Sequence, residues 1–476
     1  MTEPTPPPTG SSPDTEGRSG PEGDGGTRSA ADWRRRIADL MPQVRADLED
    51  LVRIPSVSLD SFDAAHVEAS AQRVAELFRD AGADVEVVHI GEGHPAIIGG
   101  VDGPKGAPTV LLYAHHDVQP PGPDSDWQSP PFEPVERDGR LYGRGAADDK
   151  AGVMAHVAAL RAHDGRPPVS VRLFVEGEEE VGSESLPAIL ERYADRLDCD
   201  AIVIADSANW AIGTPSLTTS LRGNVRVVVR VRSLDHGLHS GLFGGPVPDG
   251  ITAMCRLLAT LHTDEGDVAV EGLTWEPDPD VDYPEDVLRA DSGVLDGVRL
   301  LGTGPLAARL WSRPSITVIG LDAPAVDVAA NLLSPTCQAK LSMRIAASED
   351  PMRAYAALKT HLESHAPWGV QVEVDLVDAG AGFTASTEGP VVEAAQSALA
   401  DAWGSDPTEI GLGASIPFIS QFAETFPSAA ILVTGVEDPD TRAHGPDESL
   451  HLAEWEKACL AETLLLERLG TMRSDG

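Results

Sequence analysis

From Ala30 onward, apolar residues recur at helical spacing. Trp33, Ile37, Leu40, Val44, Leu48 and Leu51 fall on one face of a helix. A second helix follows, with Val74, Leu77 and Phe78 apolar and Gly82 as its stop signal. Beyond Gly82, short apolar runs at 85–90, 109–114, 169–175, 201–205 and 429–434 are separated by helical stretches. That alternation predicts an α/β fold, a mixed and largely parallel sheet covered by helices.

The middle of the chain changes period. Val225, Val227, Val229 and Val231 alternate with Arg226, Val228, Arg230 and Arg232, as on a half-exposed strand, and 251–261 reads as a helix. Further on, 340–345 is a strand, 352–365 a helix and 370–377 a second alternating strand, while 264–301 is acidic, Pro-rich loop with some helix. Strands and helices in this order describe a smaller α+β unit of ferredoxin-like kind with one open face. Chemistry-bearing residues lie both before and after it, so it is an insertion. The expected division is 30–214 and 384–476 for one domain and 215–383 for the insert. Residues 1–29 are Pro, Gly, Ser, Thr and acid with almost no apolar content, which predicts a disordered tail.

Length agrees with two domains, since 476 residues exceed one ordinary core. Lys+Arg 36 against Asp+Glu 76 gives a net charge of -40, which argues against nucleic acid and anionic membrane as partners. Cys199, Cys255, Cys337 and Cys459 are scattered with no C-x-x-C pair, so reduced thiols and a cytoplasmic setting are expected. The amino terminus lacks the basic and apolar order of a secretory signal. No run approaches the roughly 18 apolar residues of a membrane span.

Candidate chemistry falls where strands give way to loops: His115-x-Asp117, Asp148-Asp149-Lys150, Glu179-Glu180, Asp206 and His444. Zinc-class ions take imidazole nitrogen and carboxylate oxygen at about 2.0–2.2 Å. If His115, Asp206, Glu180 and His444 surround two divalent ions and Asp148 bridges them, three carboxylates leave one positive charge, which a bridging hydroxide cancels. Each element alone has a plainer reading. His115 and Asp117 could be an ordinary pair, Asp148-Asp149 a helix start, the run from Glu176 to Glu180 a solvated face, Asp206 a cap and His444 a surface turn. As a set they outweigh those readings, because metal sites are recognised by ligand sets. Asp117 can hold the second ring nitrogen of His115. Of two adjacent carboxylates, one can bind metal while the other moves protons. His116, pointing away from its neighbour, is read as structural.

The stretches Ala114-His115-His116-Asp117-Val118-Gln119-Pro120, Gly143-Arg144-Gly145-Ala146-Ala147-Asp148-Asp149-Lys150 and Glu176-Gly177-Glu178-Glu179-Glu180-Val181-Gly182-Ser183 resemble the dinuclear zinc peptidases. That family includes carnosinase-type dipeptidases, acetylornithine deacetylase, succinyl-diaminopimelate desuccinylase and glutamate carboxypeptidases, and the dipeptidase branch is nearest. The resemblance implies that His115 and Asp206 hold one ion, Glu180 and His444 the other, and Asp148 both, with a cis peptide after Asp148. It implies that Asp117 orients His115 and that Glu179 is the general base. It further implies that His239, in Leu238-His239-Ser240-Gly241, reaches into a partner subunit's site, and that Asn331, Arg344 and Ser415 bind substrate. The implied protein is a homodimeric, cytoplasmic, metal-dependent dipeptidase that cleaves short peptides with a free carboxyl terminus. Its cofactors would be two divalent ions, Zn2+ foremost, with Mn2+ or Co2+ as alternatives. An N-acyl-amino-acid deacylase and a non-catalytic peptide-binding relative stay open.

Overall fold

The computed structural model describes residues 28–413 and 417–472. The tail expected over 1–29 lies outside them apart from Arg28 and Ser29. Helix α1 (Ala30–Val52) begins at a capping box: the Ser29 hydroxyl accepts from the Asp32 amide while the Asp32 carboxylate accepts from the Ser29 amide. Its buried face carries Trp33, Ile37, Val44, Leu48 and Leu51. There follow α2 (Ala65–Asp80), β1 (Asp84–Val88), β2 (Ala96–Val101), β3 (Thr109–His115), α3 (Lys150–Ala162), β4 (Ser170–Glu176), α4 (Leu186–Leu197), β5 (Ala201–Ile204) and β6 (Ser216–Leu221).

The chain then leaves this layer for β7 (Gly223–Arg232), α5 (Gly250–Leu258), β8 (Ser315–Leu321), β9 (Thr336–Ile345), α6 (Pro351–Ser364) and β10 (Gln371–Gly380). It returns through β11 (Phe383–Thr384), α7 (Pro390–Trp403), β12 (Thr408–Leu412), α8 (Pro417–Thr425), β13 (Ala430–Val433) and α9 (Leu452–Thr471).

Among the described residues the large sheet has nine strands in the order β1-β2-β4-β3-β5-β13-β6-β11, with β12 beside β6. Strands β4, β3, β5 and β13 make a parallel centre, flanked by antiparallel β2 on one side and β6 on the other. Both faces are covered. Along β3, Val110, Leu112 and Ala114 join a core that also contains residues of α1, α3, α7 and α9. Leu111 and Tyr113 join the opposite core, with Ile189 of α4 and Phe418 and Phe422 of α8. Burial on two faces explains why these strands read as unbroken apolar runs.

The small sheet runs β8-β9-β7-β10, every pair antiparallel. Val225, Val227, Val229 and Val231 pack with Met254 of α5 and Leu358 of α6 in a separate core. On the other face Arg226 and Arg230 of β7 pair with Asp378 and Asp375. The boundaries expected at 215 and 383 fall on the flanking strands: β6 and β11 pair with each other in the large sheet. The chain therefore passes between sheets at Leu221 to Gly223 and at Gly380 to Phe383.

Candidate metal centre

Parallel pairing of β3 with β4 and β5 sets three carboxyl ends side by side, where α/β sheets place their working residues. His115 ends β3, Asp206 stands two residues past β5, and the turn Glu179–Val181 follows β4. Asp148 lies just before α3, and the Asp148–Asp149 peptide is cis. His444 comes from the loop after β13, in a turn with φ of 63°.

These five side chains converge. His115, Asp148 and Asp206 form one trio and Asp148, Glu180 and His444 another, with the ligand atoms of each within 4.8 Å of one another and Asp148 common to both. The His115 Nε2 lies 3.1 Å from Asp148 Oδ1 and 3.9 Å from Asp206 Oδ2. His444 Nε2 lies 3.0 Å from Asp148 Oδ2 and 3.4 Å from Glu180 Oε2. On its other side the His115 ring places Nδ1 3.1 Å from the Asp117 carbonyl and 3.4 Å from its carboxylate. The Asp117 carboxylate in turn accepts from the Glu179 and Glu180 amides, which ties the β4 turn to β3.

The donor set fits cations. Burial pushes Glu180 up to about 9, with the Asp148 charge adding to it, and burial lifts Asp206 to about 6. Burial would also raise Asp148, but hydrogen bonds from His115 and His444 outweigh it and hold that carboxyl well below its usual range. Glu180 Oε1 is buried without a hydrogen-bond partner among the described residues, while Oε2 accepts from Gln119 Nε2 at 2.7 Å. Carboxylates made costly by burial and by one another are what a divalent ion stabilises. Glu179 belongs to neither trio. Its carboxyl is pushed well above normal by burial and by neighbouring acids, although His115 opposes the shift.

Other expected residues sit elsewhere. His239 is exposed on the insert, its Nδ1 accepting from the Gly241 amide. Asn331 is its neighbour, with its carbonyl accepting from the Ser240 amide at 3.0 Å. Arg344 is half-buried on β9, its pKa lowered by burial and by Arg226. Ser415 lies outside the described residues. His116 is fully buried with Nε2 2.9 Å from the Pro95 carbonyl, away from the trios. Lys150 is also fully buried, and its Nζ donates to the Leu51 and Ile54 carbonyls, so it locks α3 to the end of α1.

Two neighbours of the site carried no role in the sequence reading. Gln119 is one. The other is Glu448, whose carboxylate accepts from the Gly145, Ala147 and Asp148 amides at 3.0, 3.0 and 3.1 Å and from Arg144 at 2.5 Å. Its pattern is built from backbone donors, which leave no mark in side-chain spacing.

The model of peptidase family M20/M25/M40 matches residues 111–468. The cysteinylglycine-S-conjugate dipeptidase of Corynebacterium striatum is 36% identical over 419 residues, covering 85% of this chain and 90% of that protein. The Beta-Ala-His dipeptidase of Rattus norvegicus is 27% identical, covering 79% and 82%. In fold, human carnosine dipeptidase 1 aligns with a TM-score of 0.79 at 23% identity, over 93% of this chain and 99% of that one. The di-peptidase Dug1p of Saccharomyces cerevisiae aligns at 0.77 and 22%, over 94% and 99%.

Proposed function

The chain belongs to peptidase family M20/M25/M40, and from that premise we propose a metal-dependent dipeptidase that hydrolyses short peptides with a free carboxyl terminus. The observation that carries this reading is the pair of ligand trios sharing Asp148, with Glu179 beside them and in neither. Two divalent ions, Zn2+ first, with Mn2+ or Co2+ as alternatives, would be held by His115, Asp148, Asp206, Glu180 and His444, supplying Lewis acidity and a water of lowered pKa.

The remaining work falls to the chain. Asp117 fixes the ring of His115 so that Nε2 faces Asp148 and Asp206. Glu179, which belongs to neither trio, acts as the carboxylate once the neighbouring acids are neutralised by bound cations, taking a proton from water and returning it to the leaving amine. Arg344, with Asn331 and Ser415, holds the substrate carboxylate, for which a guanidinium suits two parallel hydrogen bonds. His239 is exposed on the insert, consistent with a role in a partner's site, where it donates to the carbonyl oxygen. One such donor typically contributes about 2.7–4 kcal/mol to the barrier. The insert, 215–383, thus serves as lid and dimerisation unit of a homodimer. Free cysteines at Cys199, Cys255, Cys337 and Cys459 suit a reducing, cytoplasmic setting, and no helix among the described residues is long and apolar enough to cross a membrane.

The test is a panel of dipeptides, cysteinylglycine and β-alanyl-histidine included, set against N-acetyl and N-succinyl amino acids with each metal. Dipeptides are expected to be cleaved and chelation to silence the enzyme, with zinc, cobalt or manganese restoring it. Turnover confined to the acyl amino acids, or persisting in protein shown to be free of metal, would overturn the proposal. Glu179→Gln is expected to lower kcat by a factor of at least about 10² while metal content stays at the wild-type level. Loss of metal together with activity would assign Glu179 to the ligand set instead.

A further inference from the structure

Past the carboxyl ends of β5 and β13 the two chains stay paired. Ala208 and Glu437 form a parallel bridge. The Asn209 amide donates to the Glu437 carbonyl at 2.9 Å, and the Glu437 amide donates to the Ser207 carbonyl at 3.3 Å. Asn209 also donates from its side chain to the Gly435 carbonyl. The approach is close: a Cβ added at Gly435 would meet the Ser207 oxygen at 1.7 Å. Glu437 is therefore held rigidly beside the three residues that follow Asp206, and its bridge partner lies about 7 Å along the strand from Asp206 at roughly 3.3 Å per residue.

Three nearby acids have partners. Asp438 pairs with Arg140, Glu448 with Arg144, and Asp447 accepts from Gln128. Glu437 is half-buried, its carboxylate accepts no hydrogen bond and meets no base among the described residues, and it belongs to neither ligand trio. The bridge sets Glu437 beside the residues that follow Asp206, at the carboxyl ends of β5 and β13, and burial, then the charges of Asp148 and Asp206, push its carboxyl well above the usual range. A rigid acid at the rim of a metal centre, with no base of its own, is complementary to a cation brought by the ligand.

On the dipeptidase reading, the substrate brings one. The α-ammonium group of a dipeptide is two bonds from the carbon of the scissile carbonyl, so gripping that carbonyl at the trios delivers the ammonium to their rim. We propose that Glu437 binds the free α-ammonium group of the substrate and makes the enzyme select peptides with an unblocked amino terminus. The contact is a charge-assisted hydrogen bond. A blocked or des-amino substrate would cover the same carboxylate without pairing it, which costs binding. The site would thereby reject N-acyl amino acids through a single side chain.

The experiment compares alanyl-glycine with propionyl-glycine, which is the same molecule without its amine, on the metal-loaded dimer. Wild type is expected to favour alanyl-glycine at least 100-fold in kcat/KM. Glu437→Gln should cut that ratio at least tenfold, chiefly by raising KM for alanyl-glycine, with metal content per subunit unchanged. Glu437→Asp, which keeps the charge one methylene short, should fall between the two and covers the case in which the Gln variant folds poorly. An unchanged ratio at full metal content overturns the proposal, and so does metal loss from Glu437→Gln, which would make Glu437 a ligand. Failure of the metal-loaded wild type on both substrates would instead remove the dipeptidase reading beneath it.

Discussion

Arg144 is 1% exposed and Glu448 fully buried, a guanidinium and a carboxylate paired at 2.5 Å in the interior. Breaking such a pair by removing one charge costs about 3–5 kcal/mol, because the other is left uncompensated. Glu448 also fixes the single stretch from Gly145 to Asp148 by accepting from the Gly145, Ala147 and Asp148 amides, and that backbone delivers the shared carboxylate of Asp148. Glu448→Gln is therefore expected to lower stability by about 3 kcal/mol in urea unfolding and to weaken metal binding about 10–100-fold in chelator competition. A stability loss with metal affinity intact would show that Glu448 serves the fold alone. The contrast with the proposed ligands is instructive. His115, Asp148, Glu180, Asp206 and His444 stood out in the sequence because their side-chain types are the chemistry and each follows a strand or opens a loop. Glu448 acts through amides, and Gln119 through a single bond to Glu180, so neither has a signature.

At the scale of elements, strand β8 is the edge of the small sheet. It exposes Val318 at 43%, Ile319 at 50% and Leu321 at 45%, and the loop after it exposes Val326 at 95%. An apolar edge with unpaired backbone groups is a template for another strand, and the proposed homodimer would cover it. Ile319→Lys is expected to shift sedimentation toward the 50.1 kDa chain and to reduce activity with it, since His239 is assigned to the partner's site. Mixing inactive His239→Ala with inactive Glu179→Ala should recover about a quarter of wild-type activity, because half the dimers are hybrid and each holds one complete site of two. No recovery after subunit exchange has been verified would place His239 in its own subunit's chemistry. Edge character was illegible in the sequence, as pairing is non-local. Strand β2 was missed for a related reason: Gly99 and Gly100 dilute its apolar run, yet a Cβ on either would meet a neighbouring strand's carbonyl oxygen at 2.1 or 2.0 Å. Close strand packing demanded the residues that hid the strand.

Across the whole molecule, the alternation of periods was enough to separate a large, two-faced sheet from a small, one-faced one, because burial on two faces or one leaves different hydrophobic patterns. Stability at this scale also depends on pH through groups far from the metal centre. His163 closes α3; its ring packs on Trp33 of α1 with centroids 4.6 Å apart, and its Nε2 lies 3.2 Å from the Thr463 carbonyl of α9. Burial pulls its pKa down to about 4, against the opposing pull of that carbonyl, with Arg28 and Arg36 adding to the shift. Between about pH 6.5 and 4 the unfolded chain therefore holds a proton at this site that the folded chain lacks, so stability is full above the unfolded value and is lost as pH falls through the folded one. At about 1.36 kcal/mol per unit the loss approaches 3 kcal/mol. His163→Gln, whose amide can still donate to Thr463, removes the titration but also some packing on Trp33. It is thus expected to be the less stable protein at pH 7, with the gap to wild type narrowing as urea midpoints are followed down to pH 4.5. The metal ligands and surface acids titrate alike in both proteins and cancel in the difference. Parallel stability curves over that interval would mean that His163 is already protonated in the folded state and that the junction of α1, α3 and α9 tolerates its charge.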